Sequence, residues 1–294
     1  MNALYRSLHD RLAASLRTLP DKPEENPDST LRALWHAAAG RPCPVAAADR
    51  QDLPPLSGEA ERELRQLVER RLAGEPLAHL SGRVRFMGLD MLCGPDALIP
   101  RVETEQLGEA CAGWLLGDTA RRPARVVDVC TGSGNLAFAL AHRVPDAEVF
   151  GADISGPALA LAARNAVHLG LQRVEFRCGD LLAPFDGDFD ATVDLVVCAP
   201  PYIRSAKVEQ MAPEIAAHEP RLAFDGGPLG VTILLRLIEE SPRLLRHGGW
   251  LALEVGLGQG QALARRLRGD RHYDEVRELA DARGDVRVIL ARRA

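Results

Sequence analysis

The sequence predicts an α/β fold: an open, mostly parallel sheet covered by helices on both faces, preceded by a small helical domain and a β hairpin. Three observations carry this. From residue 126 onward, β-branched runs alternate with helical stretches, the rhythm of crossover units. The first of those strands breaks into a glycine turn, Cys130-Thr131-Gly132-Ser133-Gly134-Asn135, that opens a helix. The first three strands each end near an acid, Asp128, Asp153 and Asp180, at the edge where such sheets bind ligands.

Taken in order, Leu4, Leu8, Leu12, Leu16 and Leu19 repeat at helical spacing, and Pro20 stops that first helix. Residues 21–28 read as a polar linker. Ser29 is the expected N-cap of a second helix ending at Gly40. Residues 41–55 are Pro-rich and read as loop. Ser57 caps a third helix with Leu64, Leu67, Val68 and Leu72 on one face, closed by Gly74. These helices define a domain over residues 1–75. A hairpin linker follows over 76–100, with Val84, Phe86, Leu89 and Met91 alternating around Gly88. Residues 101–294 form the ligand-binding domain. Its opening stretch, Leu98 to Glu105, is either an acidic helix N-terminus or part of a site, and a helix is expected over 107–116.

Beyond the glycine turn and its helix (136–142), strands are predicted at 149–153, 174–178, 193–198 and 250–255, with helices at 156–169 and 231–245. The β-rich tail at 286–290 reads as part of an antiparallel closing pair.

Gly132-x-Gly134-x-x-Ala137 also satisfies the dinucleotide fingerprint, with Asp153 downstream for a ribose hydroxyl. Two features argue against NAD. Asp128 would set a carboxylate beside a pyrophosphate, whereas it suits the amino group and sulfonium of S-adenosyl-L-methionine. Cys198-Ala199-Pro200-Pro201-Tyr202 is a second motif that a dehydrogenase does not need. Under the methyl-donor reading Asp128 faces the methionine moiety and Asp153 takes the ribose diol. Asp180 and Leu181 then meet the adenine. Thr131, Gly132, Gly134, Asn135, Ile154 and Cys198 complete the expected donor-binding set.

Among 294 residues, 46% are hydrophobic, enough for a substantial core. A net charge of −5 and no long Lys/Arg run argue against a nucleic-acid partner. The six cysteines are scattered without a C-x-x-C pair, so no metal site is expected, and they fit a reducing, cytoplasmic setting. Charged residues interrupt the first nineteen positions, and no apolar run is long enough to span a bilayer.

The chain resembles the protein-(glutamine-N5) methyltransferase family, the HemK-like enzymes whose best-known members modify peptide-chain release factors. The resemblance rests on Gly74-Glu75-Pro76, Gly82 with Phe86, and Leu98-Ile99-Pro100-Arg101-x-Glu103-Thr104-Glu105. It continues through Asp128 to Gly134, Asp153, Asp180, Pro200-Pro201-Tyr202-Ile203, Glu219-Pro220 and Asp225-Gly226-Gly227. It implies a class I methyltransferase domain with a seven-stranded sheet, S-adenosyl-L-methionine as cofactor, and a catalytic loop at Ala199, Pro200, Pro201 and Tyr202. Arg101, Glu103, Glu105, Tyr202 and Glu219 are the implied substrate-binding positions.

One position departs: the family motif is Asn-Pro-Pro-Tyr, and Ala199 stands where the Asn belongs. In the family that side chain and the adjacent backbone carbonyl hold the substrate amide. An amide nitrogen is a poor nucleophile, so losing one orienting hydrogen bond costs about a hundredfold in rate. The carboxylates Glu103, Glu105, Glu219 and Glu254 suit a nitrogen that carries positive charge when free. The expectation is therefore an N-methyltransferase with an altered acceptor, a guanidine or amine of an amino acid or small metabolite. The alternatives are a release factor glutamine methyltransferase that tolerates Ala199, and a weak homologue that binds the donor or a partner.

Overall fold

The computed structural model describes residues 3–17, 22, 24–117, 123–211 and 217–294. The chain forms two compact units, residues 1–95 with 212–219, and residues 96–211 with 220–294.

The first unit holds α1 (Ala3–Ser15), α2 (Pro27–Ala38), α3 (Val45–Ala48), α4 (Gly58–Leu72), α5 (Leu77–Ser81) and the hairpin β1 (Arg83–Phe86) and β2 (Leu89–Leu92). Its core gathers the stripes read from the sequence: Leu4, Leu8 and Leu12 meet Leu31, Leu34, Leu64 and Val68. The second helix starts earlier than expected. Asn26, not Ser29, is its N-cap and accepts from the backbone N–H groups of Asp28 and Ser29, with Pro27 in the first turn. Ser57 caps α4 as expected. The segment read as loop contains α3, and α5 separates α4 from the hairpin. The hairpin turns through Met87 and Gly88, both at positive φ. Leu19 and Pro20 lie outside the described residues.

The second unit is one seven-stranded sheet flanked by helices. In chain order it runs α6 (Val102–Gly117), β3 (Arg125–Val129), α7 (Asn135–Arg143), β4 (Glu148–Asp153), α8 (Gly156–Leu169), β5 (Glu175–Cys178) and β6 (Val193–Cys198). Then come α9 (Ser205–Val208), α10 (Thr232–Leu244), β7 (Leu245–Glu254), α11 (Gly260–Arg268), β8 (Tyr273–Ala280) and β9 (Val286–Arg293). The strand order is β5-β4-β3-β6-β7-β9-β8. The first five pair in parallel, and β9 runs antiparallel to both β7 and β8. The helix α11 was not anticipated: its apolar residues Leu263, Ala264 and Leu267 follow a glycine cluster that reads as turn.

Alternation assigns the two faces. Val127, Val129, Val196, Cys198, Leu251 and Leu253 pack with Leu234, Leu237 and Ile238 of α10 and Leu263 of α11. The other face carries Val126, Asp128, Val197, Ala252 and Glu254, and there Trp114 of α6 packs against Trp250. The sequence order reverses between β3 and β6, leaving a crevice at their C-terminal ends.

The lower edge is pinned by Asp194, 6% exposed, which accepts from the Arg125 backbone N–H at 2.7 Å and from Arg246 Nε. Removing it takes away the ion pair of a mostly buried guanidinium and leaves the Arg125 strand N–H without its acceptor. Asp194→Ala should therefore cost about 3–5 kcal/mol in denaturant unfolding, against about 0–1 kcal/mol for Glu148→Ala at the exposed Arg125 pair. Equal losses for the two would contradict this role.

Candidate active site

The site begins where β3 ends. Asp128 is 1% exposed, and its Oδ2 accepts from the Thr131 hydroxyl at 2.5 Å and from the Ala137 backbone N–H at 3.1 Å. The chain must bend back to make both bonds, and it does so through Cys130 at φ 56°, Gly132 at φ 56° and Gly134 at φ 85°. At Gly134 a Cβ would fall 2.4 Å from the Phe138 ring, so only glycine fits. Asp153, at the end of β4, braces the same loop. Its Oδ2 accepts from Gly132 N–H and its Oδ1 from Ser155 N–H, each at 2.8 Å.

An open, largely apolar cleft lies above these residues. Cys130, Gly132, Asp153, Ile154, Leu181 and Ala199 are among its lining residues. Leu181 holds a positive φ of 48°, which sets its side chain at the wall. Asp180 also lines the cleft, and both its oxygens are engaged by Arg236 at 3.0–3.1 Å. Cys198 is fully buried, with its thiol pushed up by burial and by Cys130 alongside.

The second wall is the loop after β6. Ala199 and Pro201 face the cleft. The loop is held from three sides. Gly226 packs so closely that a Cβ would meet the Pro201 carbonyl at 2.7 Å, and Gly226 N–H donates to the Ile203 carbonyl at 2.8 Å. Gln259 Nε2 donates to the carbonyls of Tyr202 and Gly230 at 3.0 and 3.1 Å. The Tyr202 hydroxyl donates to Glu254 Oε1 at 3.1 Å, and Arg287 Nη2 reaches that hydroxyl at 3.4 Å. Burial, with Glu254 close by, pushes the Tyr202 phenol above its ordinary range. Burial likewise raises the Glu254 carboxyl, although Thr104 and Tyr202 offset part of it.

The structure thus sets Gly132, Asp153, Ile154, Asp180, Leu181, Ala199 and Pro201 on the wall of one cleft, with Asp128 and Thr131 buried in the turn behind it and Tyr202 further along the loop after β6. Asn135 opens α7 beside them. Glu103, in the exposed first turn of α6, lies near enough to act electrostatically on Tyr202 and Glu254. Arg101 and Glu105 flank it, half-buried. Glu219 belongs instead to the first unit, where it is buried and its charge acts on His79. Gln259, Arg287 and Arg236 were not anticipated. They brace the site from α10, the turn after β7 and the antiparallel strand β9, and no local motif marks them.

The residues fit a cationic donor. Asp128 Oδ1 is buried and has no hydrogen-bond partner among the described residues, a cost that an ammonium group would relieve. The same oxygen would repel a pyrophosphate. Asp153 keeps a lone pair on each oxygen for a ribose diol. Fold and cleft together define a class I S-adenosyl-L-methionine-dependent N-methyltransferase.

Residues 126–218 match the family model described as a methyltransferase domain. A release factor glutamine methyltransferase of Moorella thermoacetica is 37% identical over 290 residues, 98% of this chain and 99% of its own. One from Geobacter sulfurreducens is 39% identical, over 71% of this chain and 70% of its own. The hMettl16 catalytic domain, solved with a MAT2A 3′UTR hairpin, shares the fold at a TM-score of 0.55 and 16% identity, covering 76% of this chain and 80% of its own. The chain belongs to the release factor glutamine methyltransferase family, the HemK-like protein-(glutamine-N5) methyltransferases.

Burial raises the Asp128 carboxyl to about 7, so below that pH it is neutral and cannot pair with an ammonium. Donor affinity should accordingly rise with pH, becoming about eightfold tighter between pH 6 and 7.5 as a single carboxyl ionises. Calorimetry on Asp128→Asn should give weak binding without that rise. A wild-type affinity flat across the window would contradict the assignment.

Proposed function

We propose that this chain methylates the side-chain amide nitrogen of a glutamine in a peptide-chain release factor, using S-adenosyl-L-methionine. The observation that carries the reading is the extent of the likeness: a relative so named matches 98% of this chain, so the helical unit is shared as well as the cleft. That likeness favours the glutamine acceptor over the guanidine or amine expected from Ala199. A release factor works in the cytosol, which places this activity there too.

The bound donor supplies an electrophilic methyl group on a sulfonium. The protein's part is positional. Asp128 holds the donor's amino group, Asp153 the ribose diol, and Leu181 with Ile154 the faces of the adenine. Asp180, already paired with Arg236, offers its remaining lone pairs at the adenine edge. Pro200 and Pro201 hold the loop rigid, and the Ala199 carbonyl accepts one N–H of the acceptor amide. Tyr202 walls the pocket so that the nitrogen approaches in line. Orientation of this kind is most of the catalysis open to a weak nucleophile. Arg101, Glu103 and Glu105 contact the substrate segment at the start of α6.

One observation favours the second reading, an altered acceptor: Ala199 removes the side chain with which the family holds an amide. A single substitution separates the two. With a glutamine acceptor, Ala199→Asn adds an orienting hydrogen bond and should raise transfer of labelled methyl to purified release factor, by about twofold or more. With an altered acceptor, the larger polar side chain intrudes and native turnover falls. Methylation of small guanidino or amino compounds by the wild type, with none of release factor, would overturn the proposal.

A further inference from the structure

Glu254 is 3% exposed, and Oε2 has no hydrogen-bond partner among the described residues. Oε1 is engaged, by the Tyr202 hydroxyl and by Arg287 Nη2 at 3.8 Å, and the Thr104 side chain also lies against the carboxylate. Leaving half of a buried carboxylate unpaired is costly, and such groups in native proteins mark a missing partner. The register shows where that partner would sit. Parallel pairing sets Val197 beside Ala252 and Cys198 beside Leu253. Ala199 follows the last of these pairs at the end of β6, and Glu254 is the last residue of β7. Alternation puts Glu254 on the face that carries Val197 and Ala252, and register puts Asp128 on that face as well. Ala199, which lines the cleft, puts a small side chain where the family motif has an asparagine.

We infer that Glu254 stands in for the missing asparagine side chain, its Oε2 accepting an N–H of the acceptor amide and orienting the nitrogen. This rests on the glutamine reading above. A primary amide has two N–H donors. The Ala199 carbonyl takes one and Glu254 the other, which leaves the nitrogen's remaining face toward the donor. The Tyr202–Arg287 pair then serves to hold Glu254 still, and the arrangement explains how a chain with Ala199 keeps its acceptor.

Glu254→Gln tests this in a shape-conserving way. The amide oxygen can keep the Tyr202 bond, which turns its NH2 toward the acceptor and opposes donor to donor. Single-turnover methyl transfer to purified release factor should fall about a hundredfold, the usual cost of an orienting group, with S-adenosylmethionine affinity unchanged. Release factor should also bind more weakly to the enzyme loaded with S-adenosylhomocysteine, a readout independent of turnover. Adding Ala199→Asn should recover at least about tenfold, more than it gains in the wild type, because the two side chains do one job. Tyr202→Phe, which removes only the brace, should cost far less than Glu254→Gln. Near-wild-type transfer and binding in Glu254→Gln would overturn the inference, as would an equal loss in Tyr202→Phe. No transfer by the wild type would instead defeat the glutamine reading itself.

Discussion

The molecule is organised around a buried carboxylate that is only half satisfied. Asp128 holds Thr131 and the first turn of α7 through one oxygen, and this forces the sharp turn through Cys130, Gly132 and Gly134. The other oxygen is buried without a hydrogen-bond partner among the described residues, a cost that a cationic group would relieve. Asp153 repeats the design one strand away, spending one lone pair of each oxygen on the loop and keeping the rest. The loop geometry and the donor preference are therefore one constraint.

The opposite wall shows a related economy. The loop after β6 has Ala199 where the family motif it resembles has a carboxamide, but its backbone is fixed by Gln259, by the close packing of Gly226 and by the anchored Tyr202 side chain. Backbone carbonyls survive side-chain substitution, so the surviving part of the motif is the part that does not depend on residue 199. Glu254, at the end of the neighbouring strand, is buried with one carboxylate oxygen lacking a hydrogen-bond partner among the described residues.

Most of the second unit was legible in the sequence. Strand periodicity and the glycine turn located β3, β4, β6 and α8 to within a residue, because short apolar runs bounded by turns leave few alternatives. The acids at strand ends pointed to the cleft for the same reason. What was missed depends on partners distant in sequence. Arg287 reaches Tyr202 across 85 positions, and Arg236 reaches Asp180 across 56. Neither pairing leaves a local pattern. The start of α2 was misplaced because Ser29 and Asn26 are both good caps, and Pro27 decides between them by fitting the first turn. Glu219, which the family resemblance implied as substrate-binding, falls in the first unit, and the chain passes to the second unit at Pro220, a division that no local pattern marks.

The most direct test of the central claim is a crystal structure of the protein with S-adenosylhomocysteine bound. It should show the ligand's ammonium within hydrogen-bond distance of Asp128 Oδ1 and its ribose diol on Asp153, with the glycine turn unmoved. A ligand seated with its ammonium in solvent, or an Asp128 oxygen still bare beside it, would contradict the account.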